Sequence, residues 1–250
     1  MKIDLHIHST CSDGEINYSS LQPLFFKDYS LISFTDHEYI FNPSIIQSNG
    51  KTKFISGVEI CCNHQGNNVE ILGYNFDTNN LSINKLVEKI RNNRRNIISK
   101  ILLDNGISTE KLSQNPFRKN VILPSNINPS VFWRNNTDKY KKAYHSTPAN
   151  EVIQTIRNAN GIPVLAHPME SLQIKDKKTL ERIILSLEIN CIELITPKHN
   201  SEDIEILKNI IIKNNLHATI GSDSHGLDLV PSSYHYTLQE SYFMWLQQFS

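Results

Sequence analysis

The chain lacks a long apolar run, a net charge and a paired-cysteine motif. A membrane-spanning helix needs about 20 consecutive, mostly apolar residues, so no membrane partner is expected. Lys plus Arg number 25 and Asp plus Glu number 25, for a formal net charge of +0. Such a chain has no global basic field to hold long nucleic acid nonspecifically, although local basic spots remain open to it. The four cysteines (Cys11, Cys61, Cys62 and Cys191) form no C-x-x-C pair, and the adjacent Cys61 and Cys62 cannot easily bridge each other. No signal peptide precedes residues 1–4. The expectation is a reducing, cytoplasmic setting with free thiols. There is also no internal repeat and no long low-complexity tract. A length of 250 residues suits one large domain, or one domain carrying an insertion.

What the chain does have is histidine and carboxylate at recurring places. Ile3, Leu5 and Ile7 alternate with other residues, the period of a strand. Residues two apart on a strand share a side, so His6 and His8 project together, with Asp13 in the following turn. Two imidazoles and a nearby carboxylate suit Zn²⁺, Mn²⁺ or Fe²⁺. The pattern then repeats. Residues 31–35 form a β-rich run ending in Asp36 and His37, and residues 54–58 end in Glu59. Residues 69–76 carry Glu70 near the start, and residues 161–166 end in His167. Residues 191–195 end near Lys198 and His199, and residues 217–221 end in Asp223 and His225. In barrels of parallel strands the site is built on the C-terminal face. Seven candidate strands, most with such a residue at or just past that end, therefore point to one metal site.

The middle of the chain reads differently. Apolar positions from Ile83 to Leu102 follow helical spacing, and Gly106 is a helix stop. The same helix carries Arg91, Arg94, Arg95 and Lys100, read as a solvated face. Residues 107–148 are polar and punctuated by prolines. Residues 81–148 thus form a mostly helical insertion over the site, between residues 1–80 and 149–250. Later helices over 151–159, 179–189 and 201–214 each precede a strand, which implies parallel pairing. Only about nine residues separate Glu59 from the next strand, too few for a crossover helix and suited to an antiparallel hairpin.

Five segments together resemble the polymerase and histidinol phosphatase (PHP) superfamily, especially its small stand-alone phosphoesterases. They are His6-Ile7-His8 with Asp13-Gly14, Thr35-Asp36-His37, Gly57-Val58-Glu59, Leu165-Ala166-His167-Pro168 and Gly221-Ser222-Asp223-Ser224-His225. The resemblance runs in order along essentially the whole chain. It implies an α/β fold, a distorted (β/α)₇ TIM-like barrel with a helical insertion, and two or three divalent ions (Mn²⁺, Fe²⁺ or Zn²⁺) at its C-terminal face. By resemblance, His6, His8, Glu59 and Asp223 would hold one ion, Asp13, His37 and His225 a second, and Glu59, Glu70 and His167 a third. Many relatives have histidine where this chain has Glu70, which either ligates or is a plain edge-strand residue. A carboxylate there leans the site toward Mn²⁺ or Fe²⁺ over Zn²⁺.

The expected chemistry is hydrolysis of a phosphate ester, whose anionic oxygens repel a nucleophile until divalent ions neutralise them. Ligating histidines need partners on their free ring nitrogens, for which Asp4 and Asp36 are candidates; Asp36 points away from His37 on an extended strand. His199 and Asp223 are the candidate catalytic residues, and Arg118, Lys142, Lys198 and His199 the candidate substrate contacts. His64, His145, His217 and His235 have no supporting pattern. The expected partner is a small phosphorylated molecule or a short nucleotide. The alternatives are 5′-3′ exonuclease action on short RNA or DNA, histidinol-phosphate hydrolysis, and a non-catalytic PHP scaffold.

Overall fold

The computed structural model describes residues 2–17, 26, 28–46, 50–226 and 241–249, except for the side chains of residues 142–144. Among these residues it contains β1 (Ile3–Ile7), β2 (Leu31–Phe34), β3 (Lys53–Phe54), β4 (Gly57–His64), β5 (Asn67–Tyr74), β6 (Ile162–Leu165), β7 (Cys191–Ile195) and β8 (His217–Ile220). The helices are α1 (Leu81–Asp104), α2 (Pro129–Asn135), α3 (Thr137–Tyr144), α4 (Ala149–Asn158), α5 (Pro168–Leu172), α6 (Lys177–Ser186) and α7 (Ser201–Asn214). None of these helices is long and apolar enough to cross a membrane.

The architecture is mixed α/β. The strands form two sheets, ordered β1-β2-β3 and β4-β5-β6-β7-β8. The first sheet is parallel, as are β6, β7 and β8, whereas β5 is antiparallel to both β4 and β6. The expected distorted (β/α)₇ TIM-like barrel is not shown: among the described residues no ladder closes the two sheets into one. Two local causes are visible. The turn at Gln65 and Gly66 is too short for a crossover, so β4 and β5 pair as a hairpin. The expected 54–58 strand also divides, leaving β3 on one sheet and β4 on the other.

The two sheets meet through isolated bridges, Ile7 with Ser224 and His37 with Glu59. His8 N–H donates to Ser224 O (2.8 Å), and Glu38 N–H donates to Glu59 O (2.8 Å). These seams lie just past the C-terminal ends of β1, β2 and β8 and bring the candidate ligands together. Every residue of β1 and β7 is buried, as expected for strands covered on both faces.

Helix α1 begins where the Asn80 side chain accepts from Ser82 N–H and Ile83 N–H, and it ends before Gly106 at φ +71°. Its stripe of Ile83, Leu86, Val87 and Ile90 packs into the main core. Its next turns (Ile98, Ile101 and Leu102) pack with Phe132 and Trp133 instead. The expected solvated basic face is corrected at Arg94, which is fully buried. Arg94 pairs with buried Glu38 and donates to Asn115 Oδ1 (2.8 Å). Asn115 in turn donates to the carbonyls of Cys11 and His37 (3.1 and 2.9 Å), tying α1 to two loops that carry candidate ligands. Removing one partner of a buried ion pair leaves an uncompensated charge and costs about 3–5 kcal/mol.

Gly221 shows how tightly the seam is packed. A Cβ there would lie 2.2 Å from His6 Cβ and 2.6 Å from Glu193 Oε1. Gly221→Ala is expected to lower stability by about 1–3 kcal/mol, as overpacking does. Chemical denaturation of the variant beside the parent checks this; an unchanged midpoint would refute the tight approach.

Candidate metal centre

Strand alternation and the two seams converge on Glu59. This carboxylate is 1% exposed, and four imidazoles surround it. Its Oε1 lies 3.3 Å from both His6 Nε2 and His167 Nε2, and its Oε2 lies 3.2 Å from His8 Nε2 and from His37 Nδ1. Asp223 Oδ1 is 3.5 Å from His6 Nε2 and 3.2 Å from His8 Nε2. Asp13 Oδ1 is 3.6 Å from His8 Nδ1 and 3.4 Å from His225 Nε2. Glu70 Oε2 is 3.4 Å from His167 Nε2. All nine predicted metal residues therefore belong to one continuous cluster. Asp223 and Glu38 hold left-handed backbone at φ +51° and +47°, a conformation that costs about 1–2 kcal/mol per residue. Such outliers concentrate at functional sites.

The donor set fits divalent ions. His6 Nε2 and His8 Nε2 face each other at 3.3 Å. Two unprotonated ring nitrogens at that distance repel unless a proton or a cation lies between them. Asp13 Oδ1 and Glu59 Oε1 are buried without a hydrogen-bond partner among the described residues. Groups able to take an ion recur across the cluster: His6, His8 and Glu59; His8, Asp13, His37 and His225; and Glu59, Glu70 and His167.

The outer contacts fix the imidazoles. Buried Glu193 is the residue that sequence reasoning passed over. Its Oε1 accepts from His6 Nδ1–H (3.0 Å), leaving the His6 Nε2 lone pair inward, and its Oε2 accepts from His167 N–H (2.9 Å). A carboxylate in the otherwise apolar run of β7 was the available signal. His167 Nδ1 contacts Ser171 Oγ (2.9 Å), and His8 Nδ1 contacts Ser12 Oγ (3.3 Å). Asp4 and Asp36, the expected imidazole partners, hold loops instead. Asp36 accepts from Ser9 N–H, Ser9 Oγ–H and Ser12 Oγ–H. Asp4 accepts from His6 N–H and Ser222 N–H.

Electrostatics follow from this crowding. Burial pulls the His8 pKa down, but its hydrogen bonds to Asp223 and Glu59 outweigh that and lift it to about 10. Burial likewise opposes protonation of His167, and Glu59 and Glu70 lift it to about 9. Burial pushes the Asp223 carboxyl up, yet the charges of His6 and His8 hold it below the usual carboxylate range. The Cys61 thiol is pushed well up by burial, then by Glu38 and Glu70.

A cleft of about 270 Å³ opens over the cluster, lined among others by Glu59, Glu70, His145, His167, Lys198 and Asp223. A second, of about 400 Å³, is lined by Asp13, Arg118, Lys119, Tyr140 and Lys141, and it shares His37, Asn68, Glu70 and His145 with the first. Lys198 Nζ reaches Asp223 Oδ2 (3.5 Å) and Glu170 Oε1 (3.3 Å). Exposed Arg118 stacks on Tyr140, 4.8 Å from the ring centre. His145, set aside in the sequence, lines both clefts, with Nδ1 3.2 Å from Cys62 O. His199, the candidate catalytic histidine, is placed differently. It lines neither cleft; it is 5% exposed and donates from Nδ1 to Leu194 O (2.9 Å). The side chain of Lys142 lies outside the described residues.

No protein-family model matches the chain. A curated relative, the 5′-3′ exoribonuclease of Haemophilus influenzae, is 24% identical over 189 residues, covering 67% of this chain and 69% of that protein. Among solved structures, an amidohydrolase from Chromobacterium violaceum, crystallised with bound sulfate, superposes with a TM-score of 0.66 at 21% identity. A candidate metal-dependent phosphoesterase from Bifidobacterium adolescentis gives a TM-score of 0.66 at 18% identity. Each alignment covers 90% of this chain and 88% of the other. At these identities the likeness is one of fold.

Two predictions follow from the geometry. Glu193→Gln keeps one acceptor but turns an amide N–H₂ toward a donor. It is expected to weaken Mn²⁺ affinity about 10–100-fold with the fold retained, measured by metal titration beside circular dichroism. The second concerns pH. His8 and His167 hold protons more tightly in the metal-free fold than at their ordinary pKa of about 6.5. That stabilisation is complete below about pH 6.5 and is lost as the pH rises through about 9 and 10. The metal-free chain should therefore melt at lower temperature at pH 9–10 than near pH 6.5, and a bound divalent ion should remove the difference. Thermal scans with chelator and with Mn²⁺ check both halves.

Proposed function

We propose that the protein is a metal-dependent phosphoesterase that hydrolyses a small phosphorylated substrate. The carrying observation is the convergence of His6, His8, His37, His167 and His225 with Asp13, Glu59, Glu70 and Asp223 beneath a narrow cleft with Lys198 at its edge. In this reading His6, His8, Glu59 and Asp223 would hold one divalent ion, Asp13, His37 and His225 a second, and Glu59, Glu70 and His167 a third. When bound, the ions supply neutralisation of the phosphoryl charge and acidification of a water. The chain does the rest. Glu193 keeps His6 in one tautomer. Lys198 offers a cation to a substrate oxygen at the cleft edge. His145, whose pKa is lowered by burial, stands as a neutral imidazole on the wall between the two clefts.

The likeness in fold to a candidate metal-dependent phosphoesterase supports this reading. Clefts of about 270 and 400 Å³ suit a small molecule rather than a duplex. A second reading, removal of nucleotides from the 5′ end of a short RNA, draws on the exoribonuclease relative and on the Arg118, Lys119 and Lys141 lining of the adjoining cleft. The setting in this proposal is the cytoplasm.

The test is to strip the protein with chelator, reload it with Mn²⁺, Fe²⁺ or Zn²⁺, and assay phosphomonoesters, nucleoside bisphosphates, cyclic phosphates and short RNA. Phosphate release should require an added transition ion and should be weaker with Mg²⁺ alone. His8→Ala and Asp223→Ala should lose bound metal and at least about 100-fold in rate. Absence of both metal binding and phosphate release across the panel would overturn the proposal; stepwise shortening of RNA without release from small esters would select the second reading.

A further inference from the structure

We propose that Cys61 is a metal ligand: its Sγ, His37 Nδ1 and the Glu70 carboxylate form a sulfur-containing site for a transition ion at one edge of the cluster. The inference rests on the metal-dependent reading above; an ion here takes His37 and Glu70 in place of their positions at the second and third ions of that reading.

The hairpin register makes the placement. Cys61 pairs directly with Glu70 across β4 and β5, so their side chains stand on one face of the sheet. Alternation along β4 puts Glu59 and Cys61 on the face of the cluster and turns Ile60 and Cys62 into the main core. His37 comes to the same face through its bridge to Glu59. Cys61 Sγ–H donates to Glu70 Oε1 at 3.2 Å, and Sγ lies 3.6 Å from His37 Nδ1. All three donor atoms lie within 4.8 Å of one another.

The two sulfur separations are those of ligands sharing one ion. With a metal–sulfur bond of about 2.3 Å and a metal–nitrogen bond of about 2.0–2.1 Å at a tetrahedral angle, sulfur and nitrogen stand about 3.6 Å apart. The shorter sulfur–oxygen separation suits a ligand angle nearer 90°, which five- or six-coordinate ions supply. Glu59 stands beside the group: its Oε1 is buried between His6 and His167 with no hydrogen-bond partner among the described residues. The other oxygen of that carboxylate already lies 3.2 Å from His37 Nδ1. The Cys61 site is thus continuous with the imidazole cluster. On binding, the S–H bond breaks, its proton leaves to solvent, and the sulfur lone pair forms the bond to the ion. A thiolate ligand selects Zn²⁺, Fe²⁺ or Co²⁺ and disfavours Mg²⁺.

The experiment uses Co²⁺ on the chelator-stripped protein, with electronic absorption and metal analysis read together. The expected result is a near-ultraviolet sulfur-to-cobalt charge-transfer band in the wild type that is lost in Cys61→Ser. Cobalt should remain bound to Cys61→Ser through the other ligands. The band should persist in Cys62→Ala and Cys11→Ser, whose sulfurs lie outside the group. Should Cys61→Ser fail to fold, Zn²⁺ K-edge X-ray absorption on the wild type answers instead, with a sulfur scatterer at about 2.3 Å expected. Bound metal with no charge-transfer band and no sulfur scatterer, or a band that survives Cys61→Ser, overturns this inference and leaves the metal centre standing. No metal bound under any condition overturns both.

Discussion

A single buried carboxylate organises this protein. Glu59 meets His6, His8, His37 and His167, each at 3.2–3.3 Å. An isolated carboxylate out of water is very costly, and it persists only where opposite charge or strong donors surround it. Four imidazoles from β1, the turn after β2 and the turn after β6 can approach Glu59 only if their strands bring them to one place. The pairing of the strands and the cluster are therefore coupled. Glu193 extends the arrangement outward by accepting from both His6 and the backbone of His167.

The site also explains the form of the fold at that end. Two sheets that share no continuous ladder are joined at Ile7–Ser224 and at His37–Glu59, where segments carrying candidate ligands cross. The second joint is braced by Glu38, whose carboxylate accepts from Cys61 N–H (2.8 Å) and pairs with Arg94 of α1. The 81–148 segment thereby contributes a buried cation to the wall of the cluster, besides lining the adjoining cleft with Arg118, Lys119 and Lys141. A neutral chain can in this way present an acidic, imidazole-rich floor and a basic rim side by side, an arrangement that net charge conceals.

Much of this was legible in the residues. The nine candidate ligands, the α/β alternation after residue 150, the long middle helix and the 59–70 hairpin could all be read from spacing, turn chemistry and resemblance. Helix starts were less legible, because the caps that set them went unread: Asn80 and Asn200 accept from backbone N–H groups two and three positions on. Strand ends were less legible too. Glu59 and Glu70 were read as lying near strand limits, and both sit inside eight-residue strands of the hairpin.

By itself, the sequence determined which candidate metal-binding side chains the protein carries and how neighbours among them point, because histidines and carboxylates two or a few residues apart on strands have their relative directions set by backbone geometry. Only the tertiary structure decided which other side chains join them. Glu193 and Cys61 enter the cluster, and His145 enters the cleft. His199 turns aside to a backbone carbonyl, and Arg94 leaves solvent for Glu38. Each of these outcomes depends on register between segments far apart in the chain: Cys61 opposite Glu70, Glu193 against His6, α1 against the turn after β2. Periodicity reports which face a residue takes on its own element. It carries no information about what the facing element places there.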